Sequence, residues 1–514
     1  MLGAVLAAAG AASLFLLLRV GTAARREDAV RRVLRNSAVP LGIQLVVRAI
    51  DFAFAMVLYR MATQEAVGDY NLAALLVVLY LGTISEWGLS TLLTREVARD
   101  PLAIGQSFGT ALVLRLGLAL LSIPLAVLVV GLTTGLARSR LIAEAISGQG
   151  ALLVLILALT LVPAAAASAV TAIFIAMERP VVPALANLLN NVLSTALRVV
   201  ALVVGLGVIG VAWAALAATL VNALVFLWLL RRFFGWPGWG WDRGMAGSML
   251  LAAFPLMLNN LLMVAFFRFD MFIVKAFQGS DAVANYNAAY QVAQLGLIVP
   301  PIVVNAFFPR FSRQARDDRA GLARGFELTL RVLLLLVLPF SAAVSALAPT
   351  AIRLLAGEEY VARGAPALAI LIWFLPLSFI NGIAQYVLIA LNRQSTITRA
   401  FALTALFNIG ANLLLVPRWG LPAAALTTIG SELVLYIPFR RVMRSELPQT
   451  RVLPVLWRPA VGAFTLAAAM LPLRGQPAAA LAAGTAVYGI VLWASGAFTG
   501  EDRRLVRRLL GRPG

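Results

Sequence analysis

Apolar residues fall along this chain in long uninterrupted runs, without the regular alternation that would hide one apolar face in a soluble fold. Each run has bilayer length, because about 20 consecutive apolar residues let a helix cross the hydrocarbon core. The runs predict helices and exclude open sheets, whose unpaired backbone groups lipid cannot satisfy. The predicted helices lie at about 1–20, 37–60, 70–93, 108–132, 150–174, 181–205, 208–230, 247–276, 283–308, 327–347, 366–391, 400–416, 420–438, 456–473 and 477–499.

Arginine clusters occupy every second connection between these runs, and the intervening connections are neutral, acidic or mixed. Because basic residues concentrate in cytoplasmic loops, this alternation predicts that the clustered face and the C-terminus lie in the cytoplasm. The positive charge follows the run at 1–20, whereas in a signal peptide it precedes the apolar stretch. This order favours an extra helix over a cleaved signal, with a misplaced start codon upstream of a fourteen-helix core as a further alternative.

The two halves of the chain repeat one another, in the same order and at nearly one offset. The echoes pair 66–71 with 282–287, 175–179 with 389–393, and Asn187 and Asn191 with Asn408 and Asn412. Each unit holds six predicted helices, an even number, so the two units have the same orientation. Parallel repeats of this kind pack around an axis along the membrane normal, with the transport site between them near the midplane.

These patterns predict an all-α polytopic membrane protein. Fourteen core transmembrane helices, with an extra N-terminal helix, would form two six-helix parallel-repeat bundles around a central cavity. The predicted divisions are 1–36 (extra helix and basic cytoplasmic linker), 37–240 (N-terminal bundle), 241–445 (C-terminal bundle) and 446–514 (two appended helices and a basic cytoplasmic tail).

Composition supports a membrane protein and excludes several function classes. Of the 514 residues, 61% are hydrophobic and 12% charged, and the mean hydropathy is +0.92. The formal charge of +20 does not indicate nucleic acid as a partner, because the basic residues lie in short loops between apolar runs. The chain has no cysteine and no histidine, which excludes thiol nucleophiles, disulfides and the usual zinc sites. We therefore expect no metal site and no cofactor.

Charged residues inside the predicted helices indicate a structural or functional role, since an arginine at mid-bilayer costs about 2.5–3.5 kcal/mol of insertion free energy. Arg48 and Asp51 lie three apart on one face of the first core helix. They form either a self-neutralising ion pair or part of a lumen. Arg115 and Arg331 lie near predicted cytoplasmic helix ends, so we expect their side chains to snorkel to the surface.

A polar stripe follows the fifth core helix, where Asn187, Asn191, Ser194 and Arg198 are spaced by four, three and four residues. This spacing places all four on one helical face. The stripe cannot face lipid, and asparagines alone could join it to a partner helix. The arginine at its end favours a hydrated cavity.

The seventh core helix carries Asn259, Arg268, Asp270 and Lys275. Arg268 and Asp270 are two residues apart and point away from each other, so this helix presents both signs to its surroundings. Glu86 is a lone carboxyl in the second core helix and a candidate for proton or cation coupling.

Taken together, the residues whose placement in the interior costs the most free energy are arginines. Guanidinium groups bind phosphate in a bidentate fashion and stay charged, which favours a phosphate or pyrophosphate ligand over an organic cation. The predicted substrate-binding residues are Arg48, Arg198, Arg268, Lys275, Asn187, Asn191 and Asn259, and the predicted coupling or gating residues are Asp51, Glu86 and Asp270.

Several segments of the chain together match a known family pattern, namely 66–71, 88–99, 254–270 with Tyr286 and Tyr290, 289–309, 408–412 with Pro417, and the short loop at Glu178 and Arg179. In these segments the chain resembles the polysaccharide-unit (O-antigen-type) flippases of the multidrug, oligosaccharidyl-lipid and polysaccharide exporter superfamily. The resemblance covers about residues 30–500 and is diffuse, without a catalytic signature.

The resemblance implies a translocase, not an enzyme, that moves oligosaccharides linked to undecaprenyl pyrophosphate across the bacterial inner membrane. Alternating access driven by proton or sodium antiport is implied, as are the bilayer and glycan assembly proteins as partners. No ATP site is expected, and no Walker motif is present.

Three alternatives stay open beside this reading. A lipid II flippase also needs a cationic lumen, whereas a multidrug or cation antiporter should have an acidic one. A membrane glycosyltransferase or polymerase is disfavoured, because the longest predicted outer loops, near 133–149 and 348–365, are short.

Overall fold

The computed structural model describes residues 29–100, 104–236 and 240–495, and these contain helices and no strand. The predicted helix at 1–20 lies outside the described residues. The helices are α1 (Ala29–Met61), α2 (Gln64–Ala74), α3 (Gly82–Glu86), α4 (Leu89–Arg99), α5 (Ile104–Arg138), α6 (Gly148–Ala176), α7 (Val181–Val203), α8 (Gly207–Phe234), α9 (Arg243–Arg268), α10 (Asp270–Gly296), α11 (Val299–Asp317), α12 (Arg319–Ala346), α13 (Ala348–Ala356), α14 (Val361–Leu371), α15 (Phe374–Ala390), α16 (Gln394–Glu446), α17 (Val452–Met470) and α18 (Pro477–Ala494).

Twelve helical stretches of the described residues are long and apolar enough to cross a membrane. Two of them, Arg243–Gly296 and Gln394–Glu446, are 54 and 53 residues long. A straight helix of that length would reach about 80 Å, well over twice the hydrocarbon thickness. Each is broken at a glycine with positive φ, Gly279 (83°) or Gly420 (61°), and so divides into two spans. The described residues thus hold the fourteen predicted core spans, and the all-α, multi-pass fold is confirmed.

The second span is a series of short segments instead of one helix. After α2 the backbone widens into a π-helical segment at Leu75–Leu81, and α3 then ends at a sharp break. Both residues of the break, Trp87 (φ 51°) and Gly88 (φ 74°), are left-handed. A Cβ at Gly88 would also lie 2.9 Å from the Leu256 Cβ of α9, so the break and the close approach both require glycine.

The chain divides by its contacts into two compact units, Met1–Asn287 and Ala288–Gly514. In the first unit, α6 packs against α5, α8, α2 and α4, and α1 packs against α7. The core between these helices is aliphatic and aromatic, with Phe174 and Phe226 fully buried. The unit also buries polar and charged side chains, among them Asp69 and Arg115.

The two copies of the repeated six-residue motif lie against each other within the first unit. A Cβ at Gly68 would lie 1.9 Å from the Ser280 carbonyl oxygen, so the backbones of α2 and α10 are in direct contact. Asn71 and Asn287 occupy equivalent positions of the two copies, and both amides donate to the Tyr59 hydroxyl, at 3.3 and 3.0 Å. The echo found in the sequence is therefore a structural pair.

In the second unit, α12 packs against α11, α15 and α17, while α16 packs against α14 and α15. The last two helices, α17 and α18, pack against each other, and the Tyr488 hydroxyl donates to the Leu335 carbonyl oxygen of α12 at 2.9 Å. The asparagine echo lies here as a buried ladder, in which Asn412 donates to Asn408 at 3.1 Å and Asn408 donates to Ser431 at 3.0 Å.

Gly68→Ala is expected to destabilise the protein by about 1–3 kcal/mol or more, because the added methyl overpacks a backbone contact. The measurement is the melting temperature of the purified protein in detergent. Gly117→Ala is the matched control, since a Cβ at this helical glycine would meet nothing within 4 Å. Equal melting temperatures for the two variants would contradict the close approach of α2 and α10.

Candidate functional site

A cavity of about 400 Å³ lies inside the first unit. Half of its lining residues are apolar, which lowers the local dielectric and strengthens electrostatic interactions there. Its polar lining consists of Tyr70, Ser85, Glu86, Arg115, Thr160, Ser168, Arg198 and Thr219. Two cations and one anion therefore line it, and the described wall carries one excess positive charge.

Arg115 is one of the two cations, and its partners neutralise it. Its Nη2 atom lies 3.0 Å from the Glu86 Oε1 atom and donates to the Ser90 Oγ atom at 2.5 Å, and Nη1 donates to the Ser168 hydroxyl. The side chain is fully buried, so the prediction that it snorkels to the surface is wrong. It fails because α4 and α6 cover the segment of α5 that carries Arg115.

Glu86 binds both the Arg115 side chain and backbone N–H groups at the start of α4. Its Oε2 atom accepts from the Gly88 backbone N–H at 2.8 Å, and its Oε1 atom accepts from the Ser90 N–H at 2.7 Å. The carboxylate thereby caps the first turn of α4, where helix N–H groups otherwise lack partners. Glu86 thus has a structural task, and its coupling role stays a prediction.

Arg198 is the other cation of the cavity, and it makes no ion pair or hydrogen bond with the described residues. Its guanidinium carbon lies 5.5 Å from the ring centre of Phe54, and its Nε atom is buried without a hydrogen-bond partner. A cation over an aromatic face is stabilised only modestly. This guanidinium is therefore available to a ligand.

A second residue of the polar stripe on α7, Asn191, contacts α1. Asn191 donates to the Asp51 Oδ1 atom at 2.8 Å, which joins the two helices. Arg48 is exposed and forms no ion pair with Asp51 in the described structure, and Asn187 is also exposed. The residues of the stripe thus have different surroundings: Asn191 contacts a partner helix, and Arg198 lines a cavity.

The candidates near the end of α9 have local partners. Arg268 is half-buried and donates to the Met271 sulfur at 3.8 Å, and Asn259 is half-buried beside Met263. Asp270 is buried, and its Oδ2 atom accepts from the Tyr286 hydroxyl at 2.8 Å. Asp270 thereby fixes the start of α10.

Lys275, the only lysine of the chain, lies in a separate buried cluster. Its Nζ atom lies 2.5 Å from the Glu144 Oε1 atom and 3.7 Å from the Asp69 Oδ1 atom, and it donates to the Ser280 hydroxyl at 2.5 Å. Ser147 and Ser280 also donate to the two oxygens of Asp69. Carboxylates surround the ammonium group, which favours a structural role for Lys275 over ligand binding.

Two charged residues of these sites, Asp69 and Glu144, were missed by reasoning from the sequence, whereas Arg115 was noticed and its burial was misjudged. Asp69 belongs to the repeated motif, but its role there has no local signal. Glu144 lies in a short loop, 131 positions from its lysine partner. Arg115 did carry a signal, because it is a charge inside an apolar run.

Two family models match this chain. The model described as polysaccharide biosynthesis protein matches residues 33–314, and the MatE model matches residues 255–414. A relative, the uncharacterized membrane protein MJ1068 of Methanocaldococcus jannaschii, is 27% identical over 163 residues. That match covers 31% of this chain and 32% of the relative, about a third of its length.

Solved transporter structures share the fold. The lipid II flippase MurJ in an inward closed conformation matches with a TM-score of 0.74 and 13% identity, covering 93% of this chain and 100% of that chain. An inward-facing multidrug resistance MATE family transporter matches with a TM-score of 0.60 and 17% identity, covering 81% of this chain and 99% of that chain. A MOP superfamily transporter from Pyrococcus furiosus matches with a TM-score of 0.52 and 18% identity, covering 83% of this chain and 98% of that chain. That transporter is described as having a binding pocket of reverse polarity.

Arg115→Gln is expected to lower the free energy of unfolding by about 3–5 kcal/mol, because it leaves the Glu86 carboxylate without its cation. The measurement is the melting temperature together with abundance in the membrane. The double variant with Glu86→Gln should recover part of the loss, and Arg95→Gln, whose side chain is 54% exposed, is the control. A single variant as stable as the control would contradict a neutralising pair.

Lys275→Met is expected to reduce abundance and melting temperature, since it leaves Asp69 and Glu144 repelling each other. Arg138→Met, an exposed position at the end of α5, is the matched control. Normal stability of the lysine variant together with lost transport would instead indicate that Lys275 binds the ligand.

Proposed function

Because the chain belongs to the polysaccharide biosynthesis protein family, we propose that it is a flippase for oligosaccharide units linked to undecaprenyl pyrophosphate. It carries them from the cytoplasmic to the outer leaflet of the bacterial inner membrane. The resemblance of its segments to O-antigen-type flippases supports this substrate class, and the flippase and MATE transporter fold supports alternating access.

One observation carries the choice of an anionic substrate, namely that the guanidinium of Arg198 lines a cavity without a protein anion as its partner. An uncompensated cation in a low dielectric attracts an anion strongly, and a guanidinium fork matches two phosphate oxygens. Arg115 adds no net attraction, because Glu86 already neutralises it. A cavity of about 400 Å³ lies within the usual range for small-ligand sites and accommodates a pyrophosphate group with its first sugar.

The remaining candidates take secondary roles in this proposal. Arg48 and Arg268 would contact the pyrophosphate during its passage, and Asn187, Asn191 and Asn259 would donate hydrogen bonds to phosphate or sugar oxygens. Lys275 is the weakest candidate for substrate binding, because carboxylates already surround its ammonium group. The predicted topology, with arginine-rich loops and the C-terminus in the cytoplasm, sets the direction of transport.

Energy would come from an ion gradient, with protons or sodium as the coupling ion and Asp51, Glu86 and Asp270 as candidate carriers. The protein works as a carrier without catalysis. The connection from α5 to α6 spans only 139–147 and leaves little room for the outer catalytic loop of a glycosyltransferase or polymerase. Glycan assembly proteins would deliver the substrate on one side and remove it on the other.

A lipid II flippase is the second candidate, and the likeness of the fold to MurJ favours it specifically. Lipid II carries the same pyrophosphate, so Arg198 serves both substrates equally. A multidrug or cation antiporter is disfavoured by the excess positive charge of the cavity wall.

The deciding experiment measures leaflet translocation in reconstituted vesicles. The probes are an undecaprenyl-pyrophosphate oligosaccharide, lipid II and an organic cation. Translocation of the oligosaccharide lipid supports the proposal, whereas movement of lipid II alone or of the cation alone overturns it. Depletion in cells, followed by identification of the lipid-linked precursor that accumulates, provides an independent reading.

Arg198→Gln is expected to reduce translocation of the pyrophosphate lipid at least about tenfold, the effect of losing one charge-assisted hydrogen bond of about 1.5–3 kcal/mol. Membrane abundance should stay normal, since Arg198 has no protein partner whose charge would be left unpaired. Arg198→Lys should retain part of the activity, and Arg232→Gln, an exposed position at the end of α8, is the control. Unchanged translocation by the glutamine variant would contradict the role of Arg198.

A further inference from the structure

We infer that Glu432, a residue of the second unit, is a proton-binding site that exchanges its proton during the transport cycle. Glu432 lies in α16 beyond the break at Gly420, and it is 1% exposed. Proton binding follows from its surroundings alone. The link to transport rests on the proposed function.

The partners of this carboxyl are neutral. The Asn381 side-chain amide of α15 donates to the Glu432 Oε2 atom at 2.7 Å and to the Glu432 backbone carbonyl oxygen at 2.8 Å. The Ser378 hydroxyl, one turn earlier on α15, is a second neutral partner. The Oε1 atom is buried and has no hydrogen-bond partner.

No cation of the described residues pairs with Glu432. Its facing helix, α15, contains no charged residue over its whole length, and α14 contains only Arg363, which is exposed near its start. On α16 the nearest charged residue is Arg440, eight positions away, or about 12 Å along the axis. The titratable groups nearest to Glu432 in sequence on α15 and α16 are Tyr386 and Tyr436, and Tyr290 of α10 lies against Thr428, one turn before Glu432.

An ionised carboxylate in such a place would be costly, because desolvation of a charge with no opposite partner amounts to several kcal/mol. Protonation at Oε1 removes the charge and converts an unsatisfied acceptor into a donor. The reaction is the simple equilibrium of –COOH with –COO⁻ and a proton that passes to water. Ionisation therefore needs water at Glu432, which requires α15 and α16 to separate locally.

Ion coupling needs a group whose ionisation depends on the conformation of the protein, and Glu432 meets this need because it ionises only when water reaches it. A carboxyl that is neutral when buried and ionised when wet binds a proton in one conformation and releases it in another. A proton fits the site better than Na⁺, because Asn381 presents its NH₂ group to the carboxyl and its oxygen turns away. The amide therefore donates to the carboxylate, and it does not add a ligand oxygen for a metal ion.

The first test is infrared spectroscopy of the purified protein during a pH titration, which needs no substrate. Wild type should show the C=O band of a buried protonated carboxyl at neutral pH and lose it at alkaline pH. Glu432→Gln should remove this band, whereas Glu446→Gln should keep it. Glu446 is the matched control, because it ends the same helix but is ion-paired with Arg393 and Arg319. If the glutamine variant does not fold, Glu432→Asp serves, and it should shift the band.

A band that is absent from wild type, or that stays at its wild-type position in both Glu432 variants, overturns proton binding. A band that Na⁺ removes at constant pH assigns the site to sodium and overturns it as well. These outcomes do not depend on what the protein transports. They therefore separate failure of this inference from failure of the flippase proposal.

The second test measures coupling in proteoliposomes with the undecaprenyl-pyrophosphate probe. A gradient of one pH unit is worth about 1.4 kcal/mol per proton and should drive about tenfold accumulation in one leaflet at one proton per substrate. Glu432→Gln should equalise the probe between leaflets without accumulating it, while Glu446→Gln accumulates it normally. Tenfold accumulation by Glu432→Gln overturns the coupling role. A wild type that moves no probe contradicts the proposed function and leaves the infrared result to decide Glu432.

Discussion

A charge among apolar membrane helices has to be neutralised by a partner, because neither lipid nor aliphatic side chains can solvate it. The pair of Arg115 and Glu86 meets this constraint in the first unit and ties several helices together in doing so. Glu86 also caps α4, so the break in the second span depends on the same carboxylate. The cluster of Lys275, Asp69 and Glu144 meets the constraint for α10 and the loop before α6.

Among the described residues, Arg198 and Glu432 are exceptions to this neutralisation, and they have opposite sign. Arg198 lines a cavity without pairing with a protein anion, and Glu432 lies among neutral partners with no protein cation. A guanidinium keeps its charge and attracts an anion, whereas a carboxyl can lose its charge by taking a proton. The same physical constraint therefore underlies both proposals, a phosphate ligand for Arg198 and a proton for Glu432.

Local pattern predicted the spans well and the surroundings of the candidate site residues only in part. The run at 150–174 became Gly148–Ala176, and the stripe that ends in Arg198 does reach a cavity. Arg115 was misjudged, since only the packing of α4 and α6 shows that its side chain cannot reach the surface. Glu432 carries the same signal as Glu86, a lone carboxyl in an apolar run, yet its neutral partners are visible only in the folded chain.

The membrane-spanning segments, the repeat of the two halves and the charged residues of the interior can all be read from the order of residues. These properties depend on local hydropathy and spacing, which that order sets directly. Which charges are neutralised depends instead on the folded chain, because ion partners such as Lys275 and Glu144 are 131 positions apart. Neutralisation acts over a few ångströms, and packing alone brings such distant residues within that range.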